Sequence, residues 1–145
     1  MFKRLLQTDH HLTSFIIRIT VALVMLPHGA QKLLGMFGGY GFKATMNFFT
    51  SNGTPAILAF MVIMTESIGA LLILLGFTTR IWAALLTVIM LVAISMHAAN
   101  GFFMNWGGTQ AGEGFEYHLL VIGINLALVI KGAGRWSIDG KLTNK

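Results

Sequence analysis

Three histidines and two glutamates are the side chains of this sequence best suited to proton transfer or ligand binding. His97 and His118 bound one segment of the chain, and Glu113 and Glu116 lie near the end of that segment. His28 stands far away in the sequence. Imidazole changes its charge near neutral pH, binds metals and hydrogen-bonds carbonyl oxygens. The residue types therefore allow three chemistries: a metal site, a quinone site or a proton relay.

The composition indicates that these groups belong to a membrane protein. Of the 145 residues, 55% are hydrophobic and 10% are charged, far from the averages of soluble domains. Cysteine is absent, which excludes disulfides, thiolate metal ligands and cysteine nucleophiles. The net charge is +5, but the basic residues lie mainly in tails and connections, a pattern of membrane orientation rather than of nucleic-acid binding.

Four apolar runs predict the elements that position the candidate groups. They cover residues 12–34, 55–75, 81–97 and 115–130, and the length needed to cross a bilayer is about 20 residues. The predicted fold is all-α, a transmembrane four-helix bundle that forms a single domain over residues 1–145. Two connections rich in glycine and aromatic residues join the runs, and the first contains a predicted interfacial helix over 43–50.

The distribution of basic residues predicts the orientation. With four spans, both tails lie on one side, and the residues on that side are Lys3, Arg4, Arg80, Lys131, Arg135, Lys141 and Lys145. Only Lys32 and Lys43 fall on the other side. The positive-inside rule then predicts cytoplasmic termini and outward-facing connections. The expected location of such a multi-pass protein is the bacterial inner (plasma) membrane.

Two charged residues fall inside the predicted spans, where a charge costs roughly 2.5–3.5 kcal/mol on insertion scales. Arg18 lies in the first span and Glu66 in the second, at similar predicted depths. We therefore expect a buried Arg18–Glu66 ion pair. The alternative is a small-solute or proton pathway in which these two residues act directly.

Similar depths also predict a polar pocket at the outer membrane face. His28 and Lys32 share one helical face near the end of the first span, His97 ends the third, and His118 begins the fourth. The candidate pocket comprises His28, Lys32, His97, Asn105, Trp106, Glu113, Glu116 and His118. The candidate metal ligands are His28, His97, Glu116 and His118. In the alternative interpretation, these groups simply meet water and lipid headgroups, and Trp106 belongs to an aromatic belt.

Several motifs, in order along nearly the whole chain, resemble the DoxX family of small four-helix membrane proteins. They are Pro27–Gly35 with Phe37–Gly41, Glu66 with Gly69, Gly76–Arg80, His97–Trp106, Gly112–His118, Gly132–Arg135 and Ser137–Asp139. Gly132-Ala133-Gly134 departs from the Gly-Pro-Gly of many members. The resemblance implies an association with membrane oxidoreductase systems, among them a thiosulfate:quinone oxidoreductase subunit, and with quinone or thiol stress.

Two main functions follow as hypotheses. The first is a quinone-interacting component of a membrane oxidoreductase, for which a quinone or a metal ion would be the cofactor. The second is a non-catalytic scaffold or assembly factor. The sequence contains no redox group of its own, so electron transfer requires a borrowed cofactor, and the sequence does not decide whether the protein is an enzyme. Expected partners are the lipid bilayer, soluble or membrane oxidoreductase subunits, and a second copy of the chain.

Overall fold

The computed structural model describes residues 2–143, and the regular secondary structure in this part of the chain is all helical, without strands. The helices are α1 (Phe2–Leu6), α2 (Leu12–Leu34), α3 (Gly41–Ser51), α4 (Ala56–Met64), α5 (Ala70–Leu75), α6 (Thr79–His97), α7 (Glu116–Lys131) and α8 (Ile138–Thr143). A π-helical turn, Thr65–Gly69, joins α4 to α5, so that the two form one rod. The all-helical bundle predicted from the sequence is confirmed.

Within residues 2–143, three helices are long and apolar enough to cross a membrane, namely Leu12–Leu34, Ala56–Leu75 and Thr79–Asn100. The fourth predicted span is α7, which has 16 residues and is therefore about 24 Å long. That is shorter than a hydrocarbon core of about 30 Å. Helix α7 runs antiparallel to α6, because Arg80 donates to the Val129 carbonyl at one end and the rings of His97 and His118 meet at the other.

The packing of the bundle follows from the spacing of the buried residues along α2. Its buried positions recur every three or four residues and form one stripe: Ser14, Arg18, Val21, Ala22, Met25 and Gly29. This stripe packs against a core that α5, α6 and α7 complete. Large aliphatic side chains such as Leu23 and Val88, each 58% exposed, cover the outside of the bundle. An apolar exterior of this kind suits lipid rather than water.

The bundle has two ends of different construction. The tail end contains α1, α8 and the turn at Gly76–Thr78 between α5 and α6. The loop end contains the first connection, residues 35–55, and the second connection, residues 98–115. A helix is present at the position predicted, 43–50, as α3 within the first connection. The tails contain the short helices α1 and α8, which pack on one another. Lys145, one of the basic residues that predicted the orientation, lies outside the described residues.

Arg18 does not pair with Glu66, so this prediction is wrong. Its guanidinium donates only to backbone carbonyls at the tail end, those of Ile73, Leu74, Ala133, Arg135 and Trp136. The first two belong to the last turn of α5, whose carbonyls have no partner inside the helix. Arg18 therefore holds three parts of the tail end together while its charge is satisfied by peptide dipoles.

The direction of helical side chains explains the error. A side chain on an α-helix leans towards the N-terminus of its own helix. Helix α2 and the α4–α5 rod are antiparallel, so Arg18 leans towards the tail end while Glu66 leans towards the loop end. Similar depths of the two Cα atoms therefore do not bring the charges together. Lys32, at the far end of α2, leans back towards Glu66.

A second buried charge completes the tail end. The Asp139 carboxylate, 1% exposed, accepts hydrogen bonds from the backbone N–H groups of Thr78 (2.7 Å) and Thr79 (3.0 Å). These N–H groups belong to the start of α6, where helices lack internal acceptors and favour negative charge. Asp139 thus caps α6 from a position about 60 residues further along the chain.

Candidate functional site

The loop end contains the one ion pair found among the described residues. Lys32 Nζ lies 2.5 Å from Glu66 Oε2, and the exposed fractions of the two side chains are 25% and 7%. Glu66 belongs to the π-helical turn, a distortion that is frequent at functional sites. Gly29 allows α2 to approach this turn, because a Cβ there would lie only 2.2 Å from the Glu66 carbonyl oxygen. Lys32 and Glu66 are both candidates in the sequence analysis, but their pairing with each other was not predicted.

A cleft of about 260 Å³ opens beside this ion pair. Its walls come from the end of α2 and from the first connection, and they combine aromatic rings with polar groups: Gln31, Lys32, Gly38, Gly39, Tyr40, Thr45, Phe48 and Phe49. Helix α3 is amphipathic and places Phe48 and Phe49 at the cleft. Of the predicted pocket residues, only Lys32 lines this cleft, so the cavity lies under the first connection and not under the second.

A row of rings crosses the bundle from α2 to α6. The ring centroids of His28 and Tyr117 are 6.2 Å apart, those of Tyr117 and His118 are 5.6 Å apart, and those of His118 and His97 are 4.9 Å apart. The two imidazoles of the last pair are stacked, with 28° between their planes. His28 lies one helical turn from Lys32, so the row begins close to the ion pair. The structure thus connects the three predicted histidines through Tyr117, without gathering them around one cavity.

The stacked histidines differ in their surroundings. His97 Nδ1 lies 3.2 Å from the carbonyl oxygen of Glu113. A carbonyl only accepts, so this nitrogen carries the hydrogen and donates it. His118 is 8% exposed, and its Nδ1 has no hydrogen-bond partner within residues 2–143. One imidazole therefore reaches the second connection, and its neighbour keeps a free nitrogen inside the bundle.

Two predicted glutamates, Glu113 in the second connection and Glu116 at the start of α7, hold that connection in shape. Glu113 Oε2 accepts from the backbone N–H of Asn105 at 2.7 Å, and Glu116 Oε2 accepts from that of Met104 at 3.3 Å. The Asn105 side chain in turn forms two hydrogen bonds with the backbone of Gln110: it accepts from the N–H and donates to the carbonyl oxygen. The side chains of Asn105, Glu113 and Glu116 are therefore engaged in hydrogen bonds to the backbone of the second connection.

The remaining candidates lie apart from the ion pair and the rings. Trp106 is 87% exposed at the surface of the second connection, a position that fits the aromatic-belt alternative. Among residues 2–143, no three His, Asp or Glu side chains are grouped so that they could hold a metal ion. The four candidate ligands, His28, His97, Glu116 and His118, are thus not assembled into a metal site.

Three features of the site were missing from the sequence-based prediction. Tyr117 is the ring that joins His28 to His118, and only its position next to His118 could have pointed to it. The aromatic cleft depends on how α3 folds back on α2, which no spacing predicts. Asn125, fully buried on α7 and seven residues from His118, is not among the predicted candidates.

The DoxX family profile matches residues 13–106, about two thirds of the chain. The chain belongs to the DoxX family. The matched part includes Lys32, Glu66 and His97, whereas Tyr117 and His118 follow it. No solved structure matches the chain significantly.

Three curated relatives extend the likeness over most of the chain. "Putative oxidoreductase CatD" of Bacillus subtilis is 31% identical over 79% of this chain and 77% of its own length. "Inner membrane protein YqjF" of Escherichia coli is 29% identical over 88% and 90%. A Haemophilus influenzae protein described as uncharacterized is 34% identical over 89% and 90%. The protein is therefore a membrane protein of the DoxX family.

Proposed function

We propose that this DoxX-family protein is a quinone-interacting component of an inner-membrane oxidoreductase system, with its loop end facing outward and its tails in the cytoplasm. The observation that carries the proposal is the aromatic cleft with the Lys32–Glu66 pair at its side. A cleft of 260 Å³ is close to the smallest ligand pockets, about 300 Å³, and so suits a single substituted ring. One relative's name includes the word oxidoreductase, which agrees with this class of function.

The groups at the cleft match the chemistry of a quinone head. Phe48 and Phe49 offer apolar ring faces, and the Lys32 ammonium and the Gln31 amide offer hydrogen-bond donors for a carbonyl oxygen. A quinone has one such acceptor on each side of a flat ring. Its isoprenoid tail is apolar and can leave between the helices, where the outer side chains already face lipid.

Reduction of a quinone to a quinol takes up two electrons and two protons. The chain has no redox group, so the electrons must come from a reduced partner protein that carries one. The protons lie within the reach of this chain, since Glu66 and Lys32 stand beside the cleft and His28 lies one turn away. The protein would thus bind and protonate the quinone, while its partner reduces it.

Direct quinone binding tests the proposal. Purified protein in lipid nanodiscs, stripped of quinone, is titrated with a short-chain quinone, and the bound fraction is measured by equilibrium dialysis. We expect saturable binding that Lys32→Met weakens about tenfold or more, because a hydrogen bond to a charged donor contributes about 1.5–3 kcal/mol. Lys43→Met is the matched control, since Lys43 is exposed on α3 and does not line the cleft.

The outcomes separate the two functional classes. Saturable binding that only Lys32→Met weakens supports the quinone component. Wild-type protein that binds no quinone, or Lys32→Met protein that binds it normally, overturns the proposal and leaves the scaffold function. The third alternative, a pathway that uses Arg18 and Glu66 together, loses its basis because Arg18 is saturated by carbonyls at the opposite end of the bundle.

A further inference from the structure

A second cavity, of about 210 Å³, lies at the tail end between the start of α2 and the end of α7. The residues that line it combine aliphatic side chains with charged and hydroxyl groups: Asp9, His11, Thr13, Ser14, Ile17, Ala127, Leu128 and Lys131. Leu128 is buried, whereas Thr13 and Lys131 are exposed. The cavity therefore has an apolar inner part and a polar rim that can be reached from outside the bundle.

The position of this cavity is that of a lipid headgroup. Helix α2 is long enough to cross a bilayer and begins at Leu12, and α7 ends at Lys131. The ends of membrane spans lie at the depth of the headgroups. The cavity volume corresponds to about seven water molecules at about 30 Å³ each. The space therefore suits one headgroup and not a large ligand.

The rim of the cavity carries two opposite charges that do not pair. The backbone N–H of Asp9 donates to the Lys131 carbonyl at 3.2 Å, so the two residues are neighbours in space. Their side chains nevertheless form no ion pair, since the one ion pair within residues 2–143 joins Lys32 to Glu66. The carboxylate and the ammonium at this cavity are thus both available to a ligand that carries the complementary charges.

The Asp9 carboxylate is held in place at the cavity. Its Oδ1 accepts from the hydroxyl of Ser14 at 2.9 Å and from the backbone N–H of His11 at 3.4 Å. Ser14 is 4% exposed and belongs to the buried stripe of α2. Both bonds fall on one oxygen, and a carboxylate has two. Oδ2 therefore remains able to accept a hydrogen bond from a ligand.

A shallow groove continues from the cavity along α7. Gly123, Ala127 and Lys131 are spaced by four residues and so lie on one stripe of the helix. A Cβ at the exposed Gly123 would meet no atom within 4 Å, so the space beside this glycine is open. Leu126 and Ile130, on the next stripe, are 46% and 68% exposed. An acyl chain that leaves the cavity towards the membrane interior can lie beside these side chains.

We propose that this cavity binds one phospholipid of the tail-side leaflet whose headgroup carries both a phosphate and a primary ammonium, namely a phosphatidylethanolamine. The Lys131 ammonium donates to the phosphate, and the Asp9 carboxylate accepts from the ethanolamine ammonium. Such charge-assisted hydrogen bonds are stronger than neutral ones. One acyl chain of the lipid follows the stripe of Gly123 and Ala127.

The same two charges disfavour the other common headgroups. An anionic headgroup without an ammonium matches Lys131 but leaves Asp9 without a partner and adds a second negative charge beside it. A choline headgroup has the right charges, but its quaternary ammonium has no N–H to donate to Asp9. The site therefore selects for the N–H groups of ethanolamine. It lies at the opposite end of the bundle from the quinone cleft and does not rest on the proposed function.

Native mass spectrometry of the full chain tests the site. Protein stripped of lipid in a mild detergent is titrated separately with dioleoyl phosphatidylethanolamine, phosphatidylcholine and phosphatidylglycerol, which share their acyl chains. We expect one ethanolamine lipid to be retained per chain, with a Kd at least about fivefold lower than that of either other lipid. Equal binding of the three lipids, or strongest binding of the glycerol lipid, overturns the proposal.

Two variants separate the two halves of the headgroup. Asp9→Asn keeps an acceptor for Ser14 but loses the negative charge, so the Kd values of the ethanolamine and choline lipids should come within about twofold of each other. Lys131→Met should weaken both of these lipids at least about fivefold, because both carry the phosphate. Lys141→Met is the matched control, since Lys141 is exposed on α8 and does not line the cavity. An ethanolamine preference that survives Asp9→Asn, or an equal effect of Lys131→Met and Lys141→Met, overturns the proposal.

A third variant tests the course of the acyl chain. Gly123→Leu places a side chain in the open space on α7 and should raise the Kd of the ethanolamine lipid at least about threefold. The Tm should not fall, because a Cβ at this position meets no protein atom and leucine favours a helix more than glycine does. Unchanged lipid affinity in Gly123→Leu removes the acyl chain from this stripe and overturns that part of the proposal.

Discussion

The two ends of the bundle treat buried charge in opposite ways. At the tail end, Arg18 and Asp139 form hydrogen bonds with backbone groups. At the loop end, Lys32 and Glu66 bond to each other beside an open cleft, and His118 keeps an unpartnered nitrogen. Charges saturated by the backbone fix a structure, because peptide groups cannot take up or give away protons near neutral pH. Charges that bond to other titratable side chains remain available for chemistry, and this difference supports the loop end as the proposed site.

The largest effect should come from Arg18→Met. This change removes a donor from five carbonyls at the tail end, two of them in buried hydrogen bonds. The loss of one partner from a buried charged network typically costs about 3–5 kcal/mol. We expect a loss of at least about 3 kcal/mol in the free energy of unfolding, measured by circular dichroism in mixed micelles. Arg4→Met, at an exposed position of α1, should change it by less than about 0.5 kcal/mol. A loss below about 1 kcal/mol for Arg18→Met would remove the structural role of the tail-end network.

The positions of the long helices could be predicted from the sequence, but the partners of the charges could not. The first apolar run predicted α2 at 12–34, as observed. The third and fourth runs predicted α6 and α7 to within two residues at each end. Charge pairing depends on the few ångströms by which a side chain leans along its helix, and depth counted in Cα positions misses this lean. The π-helical turn also escaped prediction, because one additional residue in a helical turn leaves no mark on an apolar sequence.

The second prediction uses double-mutant cycles to separate the two ends. Glu66→Gln and Lys32→Met should show a coupling energy of about 1–3 kcal/mol, as expected for residues in direct contact. Glu66→Gln and Arg18→Met should be additive within about 0.5 kcal/mol, since their partners lie at opposite ends of the bundle. Unfolding of the single and double variants in mixed micelles gives both values. A strong Arg18–Glu66 coupling with a weak Lys32–Glu66 coupling would reverse the comparison.

A smaller effect is expected for Asp139→Asn. The amide keeps one acceptor oxygen for the N–H groups of Thr78 and Thr79 but loses the negative charge that favours a helix start. We expect a loss of about 1–2 kcal/mol, on the scale of helix caps, with no change in quinone binding. Thermal unfolding and the dialysis assay measure the two quantities on the same preparation. Weakened quinone binding at unchanged stability would link the tail end to the site and contradict the division proposed above.

The smallest effect should come from Trp106→Ala at the loop end. The indole is 87% exposed and bonds to nothing in the site, so the change should alter stability in detergent by less than about 0.5 kcal/mol. It should leave quinone affinity unchanged as well. This variant shows whether the loop end is sensitive only where charges meet. A clear loss of affinity would move the site towards the second connection.

The Arg18 contacts have a consequence for the order in which the protein is made. The carbonyls that Arg18 contacts lie far from it along the sequence. Ile73 follows Arg18 by 55 residues, and Ala133, Arg135 and Trp136 follow it by 115 to 118. Helix α2 is synthesised long before the latter three. Until these residues are made, the Arg18 guanidinium is only partly hydrogen-bonded, and its long side chain can keep it near the headgroups at the tail end. Insertion of α2 into the membrane and its final packing in the bundle are therefore separate events. Almost the whole chain must be synthesised before the bundle can form completely.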